Sequence, residues 1–191
     1  AGRVLKKTVM ELGGSDPYVV LDTDDVAAAA RLAWDTRMYN AGQVCNSNKR
    51  MIVMADLYDD FVAELTALAT AVDVPPALSS RRAAEALDAQ VQDAVAKGAT
   101  LHAGGLLSPG PDAHYTPAVL TGVTADMRAW SEELFGPVAV VYRVGSDEEA
   151  LALANDSAYG LGGAVFSRDP ERARALAERL DVGMSNVNTP M

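Results

Sequence analysis

The sequence of 191 residues contains one cysteine, Cys45, and two histidines, His102 and His114. A single cysteine cannot form an internal disulfide bond, and these three side chains offer too few ligands for a typical zinc site. We therefore expect no bound metal. A free thiol without a disulfide partner is typical of a reduced compartment, so we expect a cytoplasmic protein.

Basic residues are in the minority: 16 lysines and arginines stand against 26 aspartates and glutamates, which gives a net charge of −10. A nucleic-acid-binding protein needs a basic surface, and so does one that docks on anionic lipids. Hydrophobic runs are also short, with residues 138–144 among the longest, whereas a membrane-spanning helix needs about 20 apolar residues. We expect neither nucleic acid nor a membrane as a partner.

The remaining composition, 49% hydrophobic and 22% charged, is that of a globular domain, and the length favours a single domain over residues 1–191. Short β-branched runs alternate with alanine-rich helical stretches along the whole chain. This alternation predicts an α/β fold, a three-layer sandwich with a mainly parallel sheet. Predicted strands cover residues 18–21, 49–54, 100–102, 118–120, 138–144, 163–166 and 185–188; predicted helices cover 23–40, 57–71, 81–97, 147–155 and 170–180.

Cys45 lies in the loop that joins the first of these helices to the strand at 49–54. Thr23 is the predicted N-cap of that helix, and Gly42 is placed to end it. Backbone N–H groups of a tight loop can stabilise a thiolate and a later oxyanion. A small buried side chain is, however, the commoner role of a free cysteine, so this stretch alone leaves both interpretations open.

Two acidic motifs accompany the thiol. Glu11 stands among apolar neighbours before Gly13 and Gly14, and a carboxylate in apolar surroundings can serve as a general base. Glu133 is followed by Phe135; a carboxylate beside an aromatic ring suits a ribose diol next to a flat heterocycle. The alternatives are a solvent-facing Glu11, and a Glu133 at a helix end with Phe135 in the core.

Together the motifs resemble those of the aldehyde dehydrogenase superfamily. The residues at Gly13 to Pro17 and Gly42 to Cys45 are most similar to those of succinate-semialdehyde dehydrogenases. Each motif alone is weak, but their order and spacing along nearly the whole chain are specific. The matching segments are Glu11-Leu12-Gly13-Gly14, Gly42-Gln43-Val44-Cys45, Glu133-Leu134-Phe135-Gly136-Pro137, and Asn155-Asp156-Ser157 with Tyr159-Gly160-Leu161.

The resemblance implies that Cys45 attacks an aldehyde such as succinate semialdehyde, that NAD or NADP accepts the hydride, and that Glu11 activates the water that hydrolyses the thioester. It further implies that Glu133, Phe135 and Leu12 contact the cofactor. Family members are much longer, so we expect an isolated catalytic domain. Most of the dinucleotide-binding half and the C-terminal segment would then be absent. The parent enzyme is expected to be a homo-oligomer.

Two other functions remain open at this stage. The chain could act as a weak, cofactor-independent thiol esterase, since both Cys45 and Glu11 are present. It could also be a non-catalytic binding or assembly module in which Cys45 is a structural thiol. Thiol reactivity separates these possibilities, because a structural thiol resists alkylation until the protein unfolds.

Overall fold

In the computed structural model, which describes residues 2–190, the chain forms a seven-stranded sheet with the strand order β3-β4-β5-β2-β1-β6-β7. All neighbouring pairs are parallel except β3 and β4, which form an antiparallel pair at one edge. The strands are β1 (Pro17–Val20), β2 (Arg50–Met54), β3 (Thr100–Ala103), β4 (Ala118–Thr121), β5 (Val138–Val144), β6 (Gly162–Phe166) and β7 (Met184–Val187).

Helices cover both faces of this sheet. The helices α1 and α2 pack on one face, and the other helices pack on the opposite face. The predicted three-layer α/β architecture with a mainly parallel sheet is therefore confirmed. The helices are α1 (Val26–Met38), α2 (Tyr58–Thr70), α3 (Arg81–Ala96), α4 (Arg128–Ser131), α5 (Asp147–Asn155) and α6 (Pro170–Ala177).

Side chains of the central strands alternate between two hydrophobic clusters, one under each helical layer. In β5, Val138 and Val140 face the cluster that includes α3, while Ala139 and Val141 face the cluster beneath α1 and α2. Because successive side chains of a strand point to opposite faces, a strand that is apolar at every position must be covered on both sides. Residues 138–142 of β5 are such a run, and all five are buried.

The first helix differs from the prediction at both ends. Its N-cap is Asp25, whose carboxylate accepts a hydrogen bond from the N–H of Ala28, and not Thr23. The hydroxyl of Thr23 instead accepts from the N–H of Asp25, and it forms a turn before the helix. The helix ends at Met38 rather than Asn40, because the next residues enter a 3-10 turn with left-handed backbone angles.

Other helices also differ from the prediction. The last helix ends at Ala177 rather than at residue 180, and the short helix α4 was not predicted, because four residues carry too little periodicity to detect. None of the helices in the described part of the chain is long and apolar enough to cross a bilayer.

Candidate active site

The four sequence motifs meet where the parallel strands begin, at the amino-terminal side of the sheet. Each motif directly precedes one of the strands β1, β2, β5 and β6, which are adjacent in the order β5-β2-β1-β6. Because these strands are parallel, their amino ends lie side by side at the same edge. Segments far apart in the chain are thereby brought together: residues 11–16, 42–49, 133–137 and 155–161.

Cys45 sits in a turn between α1 and β2, preceded by a strained piece of backbone. Asn40, Ala41 and Gly42 are consecutive residues with positive φ, at 50°, 59° and 71°. Non-glycine residues in this region are uncommon and carry strain, which is often found at functional sites. Cys45 itself is partly exposed, and its backbone N–H donates to no atom of residues 2–190.

A buried arginine of α1 fastens this turn to the loop before β5. The guanidinium of Arg37 donates to the carbonyl of Gly42 at 3.0 Å and to the hydroxyl of Ser47 at 2.9 Å. On the other side it donates to the carbonyls of Leu134 and Val138, each at 2.7 Å, and to that of Gly136. Arg37 is fully buried. The turn that carries Cys45 (residues 42–47, the nucleophile turn) and the loop that carries Glu133 are therefore held together by the guanidinium of Arg37.

Gly13 and Gly14 fit between the other two motifs. The N–H of Gly14 donates to Oε1 of Glu133 at 3.1 Å. A Cβ on Gly14 would lie 2.3 Å from the carbonyl oxygen of Cys45, and a Cβ on Gly13 would lie 2.4 Å from Oε2 of Glu133. No other residue type could approach both partners this closely, so the two glycines are required by packing.

Cys45 and Glu11, the predicted nucleophile and base, line the same small cleft of about 160 Å³. Glu11 belongs to an irregular, exposed segment, which agrees with the solvent-facing alternative rather than with apolar surroundings. Its apolar sequence neighbours are themselves exposed; Leu12, a predicted cofactor contact, is 75% exposed. The cleft is lined by Met10, Glu11, Leu12, Gly13, Cys45 and Leu161.

The acidic pair before β5 divides between two environments. Glu132 faces outward, where it accepts two hydrogen bonds of 2.9 Å from Arg128. Glu133 points inward with a side chain 17% exposed. Its Oε1 receives the protein's hydrogen bonds, while Oε2 accepts none from residues 2–190 and remains available. Phe135 is 42% exposed, so the alternative that places it in the core is wrong.

Arg37 was not predicted, and neither were two other buried charged residues next to the site. Lys49 is 1% exposed and forms an ion pair with Glu133, Nζ to Oε1 at 3.1 Å. Asp16 is also 1% exposed; its Oδ1 accepts from the N–H of Gly162 at 3.2 Å, and its Oδ2 has no hydrogen-bond partner among the described residues. The available signal was a lysine at the start of a strand predicted to be buried, since a buried charge needs partners.

The electrostatics of these groups follow from their burial. Burial raises the pKa of Asp16 to about 6, against the opposing effect of the Gly162 N–H and of the nearby cations. Burial also lowers the pKa of Lys49 to about 8; the charge of Arg37 lowers it further, and the carboxylate of Glu133 acts in the opposite direction. The site thus contains two groups that titrate within about two pH units of neutrality.

A second cleft, of about 470 Å³, opens beside the nucleophile turn. Val44 and Asn46, which flank Cys45, both contribute to its walls. A larger groove of about 780 Å³ runs along α2; its lining mixes aliphatic and polar side chains and shares no residue with the four motifs. The second cleft is lined by Asp35, Thr36, Tyr39, Val44, Asn46 and Ser47.

Comparison with known proteins agrees with this arrangement. The model of the aldehyde dehydrogenase family matches residues 1–191. A succinate-semialdehyde dehydrogenase [NADP(+)] of Deinococcus radiodurans is 55% identical over 100% of this chain and 42% of its own length. A vanillin dehydrogenase of Pseudomonas fluorescens is 43% identical over 100% of this chain and 41% of its own length.

A solved structure is similar in three dimensions. Succinic semialdehyde dehydrogenase from Streptococcus pyogenes, in complex with NADP+, superimposes with a TM-score of 0.89 at 39% identity; 100% of this chain and 44% of that chain are covered. The present chain thus spans less than half the length of these relatives. The resemblance drawn from four short motifs is confirmed over the full 191 residues. With its motifs gathered at one sheet edge and its whole length matched, the chain belongs to the aldehyde dehydrogenase family.

Proposed function

We propose that this chain is the catalytic part of an NADP-dependent aldehyde dehydrogenase that oxidises succinate semialdehyde to the carboxylic acid. The observation that carries the proposal is the shared cleft: Cys45 and Glu11 line it together, and Gly13 links it to Glu133. The named relatives supply the choice of aldehyde and of NADP. The partly exposed Cys45 disfavours the alternative of a purely structural thiol.

The residues present suit a nicotinamide cofactor. Oε2 of Glu133 accepts no hydrogen bond from residues 2–190, so it can accept one from a ribose hydroxyl, while Oε1 is fixed by Gly14 and Lys49. Phe135 and Leu12, which belong to the same motifs as Glu133 and Gly13, are exposed and offer apolar surface. When bound, NADP supplies the acceptor for the hydride that is lost as the thiohemiacetal becomes a thioester.

The chain's own residues perform the other steps. The thiolate of Cys45 attacks the aldehyde carbon, and the free N–H of Cys45 stabilises the oxyanion that forms. Glu11 then takes a proton from water, which attacks the thioester and releases the acid together with the Cys45 thiolate. The cleft beside Val44 and Asn46 is the proposed approach for the aldehyde. A reduced cytoplasm, which keeps the thiol free, and assembly into a homo-oligomer complete the proposal.

The test uses an enzyme of full family length that contains this chain. Cys45→Ser is expected to abolish NADP reduction by succinate semialdehyde, because the hydroxyl is a far weaker nucleophile. Glu11→Gln is expected to retain a rapid burst of NADPH and to slow the steady state at least tenfold, because thioester hydrolysis loses its base. Exposed Glu85, which pairs with Arg81, provides the control Glu85→Gln with unchanged kinetics. Normal steady-state turnover in Cys45→Ser would refute the proposal.

A second candidate activity belongs to the 191-residue chain itself. Because Cys45 and Glu11 already share a cleft here, the chain could hydrolyse activated esters without a cofactor. Release of nitrophenol from p-nitrophenyl acetate, lost after alkylation of Cys45, would support this activity. Equal rates before and after alkylation would exclude Cys45 as the nucleophile.

A further inference from the structure

Lys49 stands out because it is a charged side chain almost sealed from solvent beside the candidate nucleophile. Its position is the last before β2, where Arg50 begins the strand. An ammonium at such a depth is costly unless its protons all find acceptors.

The ammonium has three protons, and three short contacts use them. Nζ lies 2.8 Å from the carbonyl oxygen of Val44, 3.0 Å from that of Cys45 and 3.1 Å from Oε1 of Glu133. The carbonyl of Ser47 lies farther away, at 3.5 Å. Two of the contacts hold the nucleophile turn, and the third holds the carboxylate proposed to bind ribose.

Glu133 is oriented by this arrangement rather than merely neutralised. Both Lys49 and the N–H of Gly14 bind Oε1, so two donors fix the same oxygen. This leaves Oε2 as the oxygen that can meet a ligand. Both contacts are charge-assisted, because their acceptor is a carboxylate, and the contact with Lys49 adds the attraction between two opposite charges.

We propose that Lys49 is a positioning residue that links the nucleophile turn to Glu133 and thereby controls how tightly the nicotinamide ribose is held. This inference rests on the proposed dehydrogenase function and extends it to a residue outside the four motifs. Lys49 acts through Glu133 and through the backbone of Cys45, and it does not itself contact the reacting atoms.

The link depends on the positive charge of Lys49. Charged groups face it from three elements: Arg37 from α1, Asp16 from the segment before β1, and Glu133 from the loop before β5. Burial lowers the pKa of Lys49 to about 8, so the ammonium loses its proton at pH values at which most lysines keep theirs. The KM for NADP of the unmodified enzyme should therefore rise above about pH 8.

The main experiment is a double-mutant cycle in an enzyme of full family length. Lys49→Met, which keeps the length and removes the charge, is expected to raise the KM for NADP about tenfold, with kcat changed less than about threefold. In a Glu133→Gln background the same substitution should raise KM less than about twofold, because its partner is already lost. Lys97→Met, which removes a half-exposed lysine paired with Asp93, is the matched control with unchanged KM.

Two results would overturn the proposal. One is a KM for NADP that Lys49→Met leaves unchanged; the other is an effect of equal size with and without Glu133→Gln, since a merely structural lysine gives independent effects. If Lys49→Met fails to fold, the pH profile of the unmodified enzyme decides instead. A KM that stays flat from pH 7 to 9.5 contradicts a charged link.

A cofactor-free measurement separates this inference from the proposed function. In the 191-residue protein, Lys49→Met should slow alkylation of Cys45 by iodoacetamide at least about threefold, because the carbonyls of Val44 and Cys45 lose the donor that holds the nucleophile turn in place. Lys97→Met should leave the rate unchanged. If the unmodified enzyme reduces no NADP with any aldehyde, the proposed function fails, and the alkylation rates still decide the role of Lys49. An unchanged rate in Lys49→Met counts against it.

Discussion

Replacing Arg37 with methionine tests how the candidate site is held together. Arg37 is fully buried, and its five hydrogen bonds join the nucleophile turn to the loop before β5. Methionine keeps an unbranched apolar stem of similar length but offers no donor. The substitution therefore leaves four carbonyl groups and the hydroxyl of Ser47 without this partner.

The expected loss of stability follows from these contacts. A hydrogen bond to a charged group contributes about 1.5–3 kcal/mol, so five of them amount to roughly 10 kcal/mol before any compensation. Removing the guanidinium also relieves its own desolvation cost, which is several kcal/mol for a buried ion. The net decrease in the free energy of unfolding should be about 3–5 kcal/mol, a large part of the stability of an ordinary domain.

Urea unfolding followed by circular dichroism measures this difference. The same helix offers a matched control, Arg31, whose side chain is 62% exposed and pairs with Asp35 at 3.2 Å. Arg31→Met should cost no more than about 0.5 kcal/mol, because an exposed ion pair contributes little. A loss below about 1 kcal/mol in Arg37→Met, or equal losses in the two variants, would refute the reasoning.

Two further substitutions test the buried acid and the glycine contact. Between pH 3.8 and about 6 the folded protein holds a proton on Asp16 that the unfolded chain releases, so stability falls as pH rises through this window. Asp16→Asn should therefore raise the free energy of unfolding by about 1–3 kcal/mol at pH 7.5 and by less at pH 4.5. Asp73 is exposed, so Asp73→Asn is the control and should show no such difference. An equal gain in Asp16→Asn at both pH values would contradict the burial argument. Gly14→Ala places a Cβ 2.3 Å from the Cys45 carbonyl oxygen, so it should cost about 1–3 kcal/mol and change the rate of Cys45 alkylation. Gly145→Ala meets only an ordinary contact at 3.4 Å and serves as its control; equal effects on alkylation would show that the contact is unimportant.

Local sequence features located most elements of the fold. Alternation and helical periodicity placed all seven strands, and five helices, within a few residues of their observed bounds. The α4 helix was missed, and the N-cap was assigned to Thr23 in place of Asp25, because neighbouring Thr and Asp side chains can both cap a backbone N–H. Strand order could not be derived in this way, because it depends on contacts between distant segments.

The candidate site was likewise predictable from the sequence only in part. The residue types and order of the four motifs were sufficient to recognise the family and to name Cys45, Glu11 and Glu133 as candidates. Their sequence neighbours did not reveal that Glu11 would be exposed, since Val9, Met10 and Leu12 are apolar yet lie on the surface of this chain.

The amino-acid sequence by itself determined the pattern of strands and helices and the chemical groups available, because propensity and periodicity act over a few residues. Only the tertiary structure decided which charges would be buried together. Arg37 bonds to carbonyls about 100 positions away, and Lys49 meets Glu133 only because β2 and β5 are neighbours in the sheet. Which charges are buried, and which residues they pair with, depends on how the sheet packs, because packing brings loops that are distant in sequence within hydrogen-bonding distance.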